Sequence, residues 1–349
     1  MDDEELQRRR AQRARERQRR IVRRRIGALA ALLVVVAVVV IVIAASEGSS
    51  APRYSGGAPV SPAHHRHDPR AVRRARAGEG SSATTSATAT GAPPDGGDTA
   101  AALAPGTGAP GTATVPVLMY HVIAPPPAGA PFPGLYVPEP EFAAQMQALK
   151  AAGWHPVTLD QLRANWTRGA KLPAGKPIVL TFDNGYHSQY ANALPVLRRL
   201  GWVADENMQL TGLPPSQGGL TESEVRALID AGWELDTQGI SHADLITLDA
   251  AELHDQVAVA RQELQRTYHV PVNWFCYPSG HYDATVIAAV RAAGFVGSTT
   301  VVPGWASPSS DPYRLPRLRV LGGTTPTGLL AQIASSQTDT PPPSSYGGA

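Results

Sequence analysis

Several polar side chains that could do chemistry stand directly after short apolar segments of this sequence. His121 follows the segment 115–120, and Asp183 follows the segment 177–182. Farther along the chain are His242 and the turn that begins at Tyr277. A carboxylate together with imidazoles can move protons in acid–base catalysis, or it can bind a metal ion that activates water. The residue types therefore favour a hydrolytic or metal-binding cleft.

The elements that position these side chains alternate between strands and helices. Apolar runs predict strands at 115–121, 177–182, 272–277, 296–300 and 317–321. Amphipathic spacing and capping residues predict helices at 139–152, 193–200, 222–232, 249–268 and 283–293. This alternation indicates a parallel α/β sheet, either open or closed into a barrel. Active sites of such sheets lie at the carboxyl ends of the strands, where the polar side chains above are found.

The first part of the chain has the pattern of a membrane anchor. Residues 1–25 contain eleven Arg and no Lys, and residues 26–45 contain no charge. Twenty helical residues span roughly 30 Å, which is the thickness of a hydrocarbon core. The positive-inside rule then keeps residues 1–25 in the cytoplasm and predicts a single-pass cell-membrane protein with its globular domain outside the cytoplasm. A cleaved signal peptide is the main alternative, although its apolar region is usually about 7–15 residues.

The composition of residues 46–349 predicts one globular domain and argues against a nucleic-acid partner. Residues 46–114 are rich in Ala, Gly, Ser, Thr and Pro, which predicts a disordered linker, and residues 336–349 read as a disordered tail. Residues 115–335 are left as the globular domain. From Pro116 onward there are 14 basic and 19 acidic residues, so a nucleic-acid partner is not expected. The single cysteine, Cys276, reads as a buried strand residue.

Five short segments, in this order, carry a family resemblance. They are Pro116–His121, Thr181–Gly185, Ser241–Leu245, Tyr277–Asp283 and Leu315–Arg317. Through them the chain resembles the polysaccharide deacetylase family, also called carbohydrate esterase family 4, over about residues 115–322. The resemblance implies a distorted (β/α) barrel with fewer than eight repeats. It also implies an enzyme that hydrolyses acetyl groups from glycans with the help of a zinc-type divalent metal.

The resemblance assigns roles to individual residues. Asp183 stands at the position of the catalytic base, and Ser279 lies in the turn that helps to hold the oxyanion. Asn184, Gln238 and His242 stand at the three metal-ligand positions. The residues expected to contact substrate are His121, Tyr277, Pro278, Gly280 and Arg317.

Two of the three metal-ligand positions depart from the family pattern. Asn184 replaces an aspartate and Gln238 replaces a histidine, and a zinc-type site needs imidazole, thiolate or carboxylate ligands. Asp236 lies two residues before Gln238, so on a strand both face the same way. Asp236 and His242, with Asp183 and His187, are therefore an alternative metal set. The polar run 205–207 is expected at the barrel mouth, where it could supply lost functional groups.

Three hypotheses remain open at this stage. The leading one is a hydrolase that cleaves C–N amide bonds, or acetyl esters, of an acetylated polysaccharide or peptidoglycan. The second is a glycan-binding domain without activity, in which Trp202, Trp233, Trp274 or Tyr277 stacks on sugar. The third is a structural or signalling domain without a ligand. Each candidate also has a structural reading: Asp183 as a loop cap, Asp236 as a turn residue, and His121 and the tryptophans as core residues.

Overall fold

The computed structural model describes residues 108–211, 213, 218–338 and 340–348. The predicted cytoplasmic segment and membrane span lie outside these residues, as does nearly all of the predicted linker. None of the helices in the described ranges is long and apolar enough to cross a membrane.

Nine strands and eight α-helices are found in the described part of the chain. The strands are β1 (Val115–Tyr120), β2 (Trp154–Pro156), β3 (Lys176–Asn184), β4 (Asp205–Met208), β5 (Glu234–Thr237), β6 (Trp274–Cys276), β7 (Gly297–Thr299), β8 (Trp305–Ala306) and β9 (Leu318–Arg319). The helices are α1 (Glu139–Ala151), α2 (Leu159–Arg168), α3 (Leu194–Leu200), α4 (Glu222–Asp230), α5 (Ala250–His254), α6 (Ala260–Tyr268), α7 (Ala284–Ala292) and α8 (Pro326–Ser335). A π-turn precedes α3, and another joins α5 to α6.

The strands form one mostly parallel sheet that curls back on itself. Its order is β7-β6-β5-β4-β3-β1-β8, with β2 paired to β3 and β9 paired to β1. Leu315 bridges to Thr299 at the end of β7, and β9 then runs parallel to β1. The segment 315–319 therefore joins the two sides of the sheet, which gives the predicted parallel α/β architecture a barrel-like shape.

Side chains alternate between the helix-covered outer face and the interior of the barrel. Tyr120 and Phe182 belong to the large outer core, whereas Val117 and Val179 belong to a second, inner core. Leu159 at the start of α2 also packs into the inner core, so this helix closes one end of the barrel. The polar inward residues beyond this plug line the other end, at the carboxyl ends of the strands.

Capping residues set the starts of several helices. Thr221 accepts a hydrogen bond from the backbone N–H of Glu224, and the Glu224 side chain accepts one in return, which is the capping box predicted from the sequence. Asp249 caps α5 in the same way. Thr158 forms a third capping box at the start of α2, a helix that the sequence reasoning missed.

The tail after residue 335 differs from the predicted disordered segment where it is described. Tyr346 exchanges two backbone hydrogen bonds of 2.8 Å with Tyr282. The Tyr282 hydroxyl donates to the Pro343 carbonyl oxygen, and Arg314 donates to that of Pro342. Composition alone did not indicate this because the tail is held mainly through backbone groups.

Candidate active site

One cleft of about 580 Å³ opens at the carboxyl ends of the strands. Most of the predicted site residues meet in its lining, and these are His121, Asp183, Asn184, Gln238, His242, Tyr277, Ser279 and Gly280. The loop 127–132 and its neighbours Leu135 and Tyr136 add an apolar wall. The alternation along parallel strands therefore brings residues distant in sequence to one site.

Asp183 is the most constrained side chain of the cleft. Arg317 donates to both of its carboxylate oxygens, at 2.7 Å to Oδ1 and 2.9 Å to Oδ2. Asn207 Nδ2 also donates to Oδ1, at 2.8 Å. Burial by itself would raise the pKa of Asp183, but the Arg317 charge and these hydrogen bonds lower it to about 2. Asp183 is therefore an ionised carboxylate at neutral pH.

Two histidines near Asp183 are neutral at the same pH. Burial lowers the pKa of His121 to about 4, although Asp183 acts in the opposite direction. Its Nε2 atom lies 3.9 Å from Asp183 Oδ2, and its Nδ1 atom has no hydrogen-bond partner among the described residues. Burial also lowers the pKa of His242. Both imidazoles can thus accept a proton at neutral pH.

The backbone is strained at three positions of this lining. Asn184, His242 and Ser279 have φ angles of 84°, 53° and 55°, in the left-handed region that non-glycine residues rarely adopt. Gly280 also has a positive φ, and a Cβ atom there would lie 2.3 Å from Val301 Cγ2. Such strain persists only where the surrounding structure holds it, and it is concentrated at functional sites.

The residues at the family's metal positions do not fit a zinc-type site. Asn184 Nδ2 donates to Gln209 Oε1 at 3.1 Å, and Gln238 offers only a neutral amide. His242 is left as the single imidazole of the three positions. Within the described ranges, the one group of three clustered His, Cys, Asp or Glu side chains lies elsewhere in the barrel. The three positions therefore do not form a zinc-type centre in this chain.

Three predicted site residues occupy other places than expected. Asp236 lies with Asp205 and Glu234 rather than with His242, because it points into the barrel one step below Gln238. Arg317 is fully buried beneath the cleft and is not part of its lining, so it positions Asp183 instead of contacting substrate. Pro278 is buried within its turn.

Other expectations are also corrected by the structure. Asp205 faces the plugged half of the barrel and not its mouth, since its carboxylate accepts from the first turn of α2. Trp202, Trp233 and Trp274 are at most 5 % exposed and Tyr277 is fully buried as a residue, so none presents a ring face for sugar stacking. His187 lies outside the cleft lining and pairs with Glu224 at 2.8 Å.

Three cleft or supporting residues were missed by sequence reasoning, and a fourth, Asn207, was expected only as part of the polar run 205–207 at the barrel mouth. Asn207 and Cys276 both contact the Asp183 carboxylate, while Gln209 and Arg319 line the cleft. Each continues the alternation of inward side chains by two residues from an inward neighbour. Reading β4 as a strand would have identified Asn207 and Gln209.

Comparisons with known proteins agree with this geometry. The sequence profile of the family described as polysaccharide deacetylase matches residues 170–298. YxkH of Bacillus subtilis (strain 168), which carries the name of the same family, is 29% identical over 223 residues, covering 64% of this chain and 77% of YxkH. The poly-beta-1,6-N-acetyl-D-glucosamine N-deacetylase of Escherichia coli (strain K12) is 40% identical over 60 residues, which are 17% of this chain and 9% of that enzyme.

Solved structures share the fold. A polysaccharide deacetylase from Bacillus cereus, BC0361, superposes with a TM-score of 0.57 at 26% identity, covering 64% of this chain and 69% of BC0361. The Streptococcus pyogenes deacetylase PplD, solved with acetate, superposes with a TM-score of 0.59 at 24% identity, covering 64% of this chain and 99% of PplD. The resemblance predicted from the five sequence segments is therefore confirmed: residues 170–298 match the profile of the polysaccharide deacetylase family, and the barrel is similar to solved polysaccharide deacetylases.

Proposed function

We propose that this protein is a hydrolase that removes acetyl groups from an acetylated glycan. The observation that carries the proposal is the ionised Asp183, fixed by Arg317 and flanked by neutral imidazoles at the end of a deacetylase-type barrel. The names of the relatives support cleavage of an N-acetyl amide, and an acetyl ester is chemically compatible with the same groups.

The described side chains can supply the proton transfers of this reaction. A neutral imidazole, His121 or His242, accepts a proton from water as the water oxygen bonds to the acetyl carbon. The same proton is then delivered to the leaving nitrogen as the C–N bond breaks, which yields acetate and a free amine. Asp183 is already paired with Arg317 and lies 3.9 Å from His121 Nε2, so its role is to stabilise the imidazolium that forms.

The substrate class follows from the cleft and from the relatives. The polar groups of the cleft stand at the carboxyl ends of the strands, whereas the loop 127–132 makes one wall apolar. A sugar chain, with apolar ring faces and a polar acetamido group, is compatible with such a lining. An acetylated polysaccharide and peptidoglycan are the proposed substrates.

A second candidate function is glycan binding without hydrolysis. The amides of Asn184 and Gln238 at the metal positions favour it, because they remove the ligands on which the family's activity rests. The strained backbone of the cleft would in that case serve recognition alone.

Acetate release from N-acetylglucosamine oligomers and from acetylated peptidoglycan separates the two functions. If the chain is a hydrolase, we expect measurable acetate release by the wild type. The rate of release should fall by at least about 100-fold in His121→Gln and in Asp183→Asn. Thermal unfolding of each variant shows whether the loss reflects folding. A wild-type chain that binds the oligomers but releases no acetate would contradict hydrolysis and support the binding function.

A variant with the family ligands restored is the matched comparison. Asn184→Asp combined with Gln238→His rebuilds the Asp, His and His set. Activity and metal binding that appear only in this double variant would identify the natural chain as a binding domain. A wild-type activity that resists chelators would instead support the metal-free chemistry proposed above.

We also propose that the domain acts outside the cytoplasm on a membrane anchor. The support is the uncharged segment 26–45, which follows an Arg-rich start and precedes a long segment rich in Ala, Gly, Ser, Thr and Pro. Such a tether would let the cleft reach glycans of the cell envelope.

A further inference from the structure

Below the cleft, three carboxylates gather inside the barrel. Asp205 on β4 and Glu234 and Asp236 on β5 offer ligand oxygens that all lie within 4.8 Å of one another. Asp205 and Asp236 are fully buried, whereas Glu234 is partly exposed. The chemistry proposed for the cleft uses none of the three.

Each carboxylate has one oxygen held by a backbone N–H group. Leu159 N donates to Asp205 at 2.8 Å, Asp160 N donates to Glu234 at 3.0 Å, and Trp274 N donates to Asp236 at 2.9 Å. Two of these donors belong to the first turn of α2, and the third belongs to β6. The three side chains are therefore oriented by α2 and β6 and not by hydrogen bonds to one another.

The second oxygens of the two buried aspartates are left without a partner. Asp205 Oδ2 and Asp236 Oδ2 have no hydrogen bond among the described residues. Glu234 Oε1 is unpaired as well, and Asn207 Oδ1 is a fourth unpaired oxygen. Asn207 lies between Asp183 and Asp236 in the sheet, and its amide nitrogen donates to Asp183. The unpaired Oδ1 atom of Asn207 therefore lies on the side that faces Asp236. Converging acceptors without donors are the pattern of a cation site.

The charge of this region is also unbalanced. No Lys, Arg or His side chain of the described ranges forms an ion pair with these three carboxylates. Asp160 lies nearby, and its oxygens accept from Asn273 at 2.6 Å and from the Trp274 indole at 3.1 Å. Buried carboxylates that lack a counter-charge must take up protons or a cation.

We propose that Asp205, Glu234 and Asp236 bind one Ca²⁺ ion in the barrel interior, below the cleft and separate from it. The ligands are oxygens only, which selects hard cations over zinc. Mg²⁺ usually keeps several of its water ligands, whereas Ca²⁺ readily takes a set of protein oxygens, so a buried group of carboxylates suits Ca²⁺ better. The ion would fasten β4 and β5, the strands that carry Asn207 and Gln238, to the start of α2.

Calcium binding to the full-length chain, purified in mild detergent without chelator, tests this proposal. Equilibrium dialysis should give one Ca²⁺ per chain, and millimolar Ca²⁺ should raise the thermal unfolding midpoint over that in chelator by roughly 5 °C. Asp236→Asn should abolish both effects. Asp255→Asn, which removes an exposed carboxylate, and His242→Ala, which changes the cleft, should retain them.

Several outcomes would overturn the proposal. One is a wild-type chain that binds no Ca²⁺ and unfolds at the same temperature with and without it. Another is Ca²⁺ binding that survives in Asp236→Asn. A chain that ignores Ca²⁺ but becomes more stable as pH falls from 8 to 6 would show that the carboxyl groups hold protons only. If Asp236→Asn does not fold, the same measurements on Asp205→Asn, together with the dialysis of the wild-type chain, test the proposal.

Discussion

The central residue of the cleft is defined by its partner as much as by its own chemistry. Asp183 was found from the sequence because it follows an apolar strand, but its bidentate contact with Arg317 joins positions 134 residues apart. No local pattern indicates such a pair, since Arg317 stands between a proline and the apolar residues of the predicted strand 317–321. The pair explains why a fully buried arginine is present in the barrel.

Breaking this pair from one side should cost much of the stability of the domain. Arg317→Leu leaves Asp183 buried without a counter-charge, and we expect a loss of about 3–5 kcal/mol in the free energy of unfolding. The double variant Asp183→Asn with Arg317→Leu should lose less, because no charge is then stranded. Denaturant unfolding measures the differences, and Arg266→Leu on the exposed helix surface is the control that should change little. Equal stabilities of wild type and Arg317→Leu would refute the role given to the pair.

The pH dependence of the same comparison has a definite sign. The pKa of Asp183 is about 2 in the folded chain and about 3.9 in an unfolded chain. The ion pair therefore contributes fully above about pH 4 and loses its contribution as pH falls towards 2. The gap between wild type and Arg317→Leu should shrink over that interval.

Among the secondary-structure elements, the strands and helices with regular apolar spacing were predicted well from the sequence. β1 and β3 are apolar on both faces because each lies between a helix layer and the filled barrel interior. β4 was missed as a regular strand because it consists of Asp205, Glu206, Asn207 and Met208. The barrel interior supplies the Leu159 N–H group to Asp205 and the Asp183 carboxylate to Asn207, and no local stretch of sequence shows these partners.

Helix α2 was missed for a related reason, and its cap is the place to test its role. Thr158 caps α2, and the first-turn N–H groups that it orients also hold Asp205 and Glu234. We expect Thr158→Ala to cost about 2 kcal/mol or more, at the upper end for a helix cap. Thr221→Ala removes a capping box on the exposed helix α4 and should cost about 1 kcal/mol. Denaturant unfolding compares the two variants, and equal losses would show that the start of α2 has no added role.

The whole molecule combines the fold of polysaccharide deacetylases with changed residues at two of the family's metal-ligand positions, Asn184 and Gln238. The order of motifs was enough to predict the parallel α/β fold, because each motif marks the end of a strand. The site could be predicted only as a set of neighbours. Which of them touch depends on the inward alternation of six strands, and this separated Asp236 from His242 and joined it to Asp205.

We expect the full chain to cross the membrane once, with its N-terminus in the cytoplasm and its barrel outside. The eleven arginines of residues 1–25 should remain in the cytoplasm, and the uncharged segment 26–45 should cross the bilayer. Protease added to intact cells should therefore degrade the barrel or the segment before it, as an immunoblot against the C-terminus would record. Replacing the arginines of residues 8–25 with glutamines should weaken this orientation, because Lys and Arg near the span determine it. A barrel that stays protected in intact cells but is digested after lysis would place it on the cytoplasmic side and contradict the proposed action on envelope glycans.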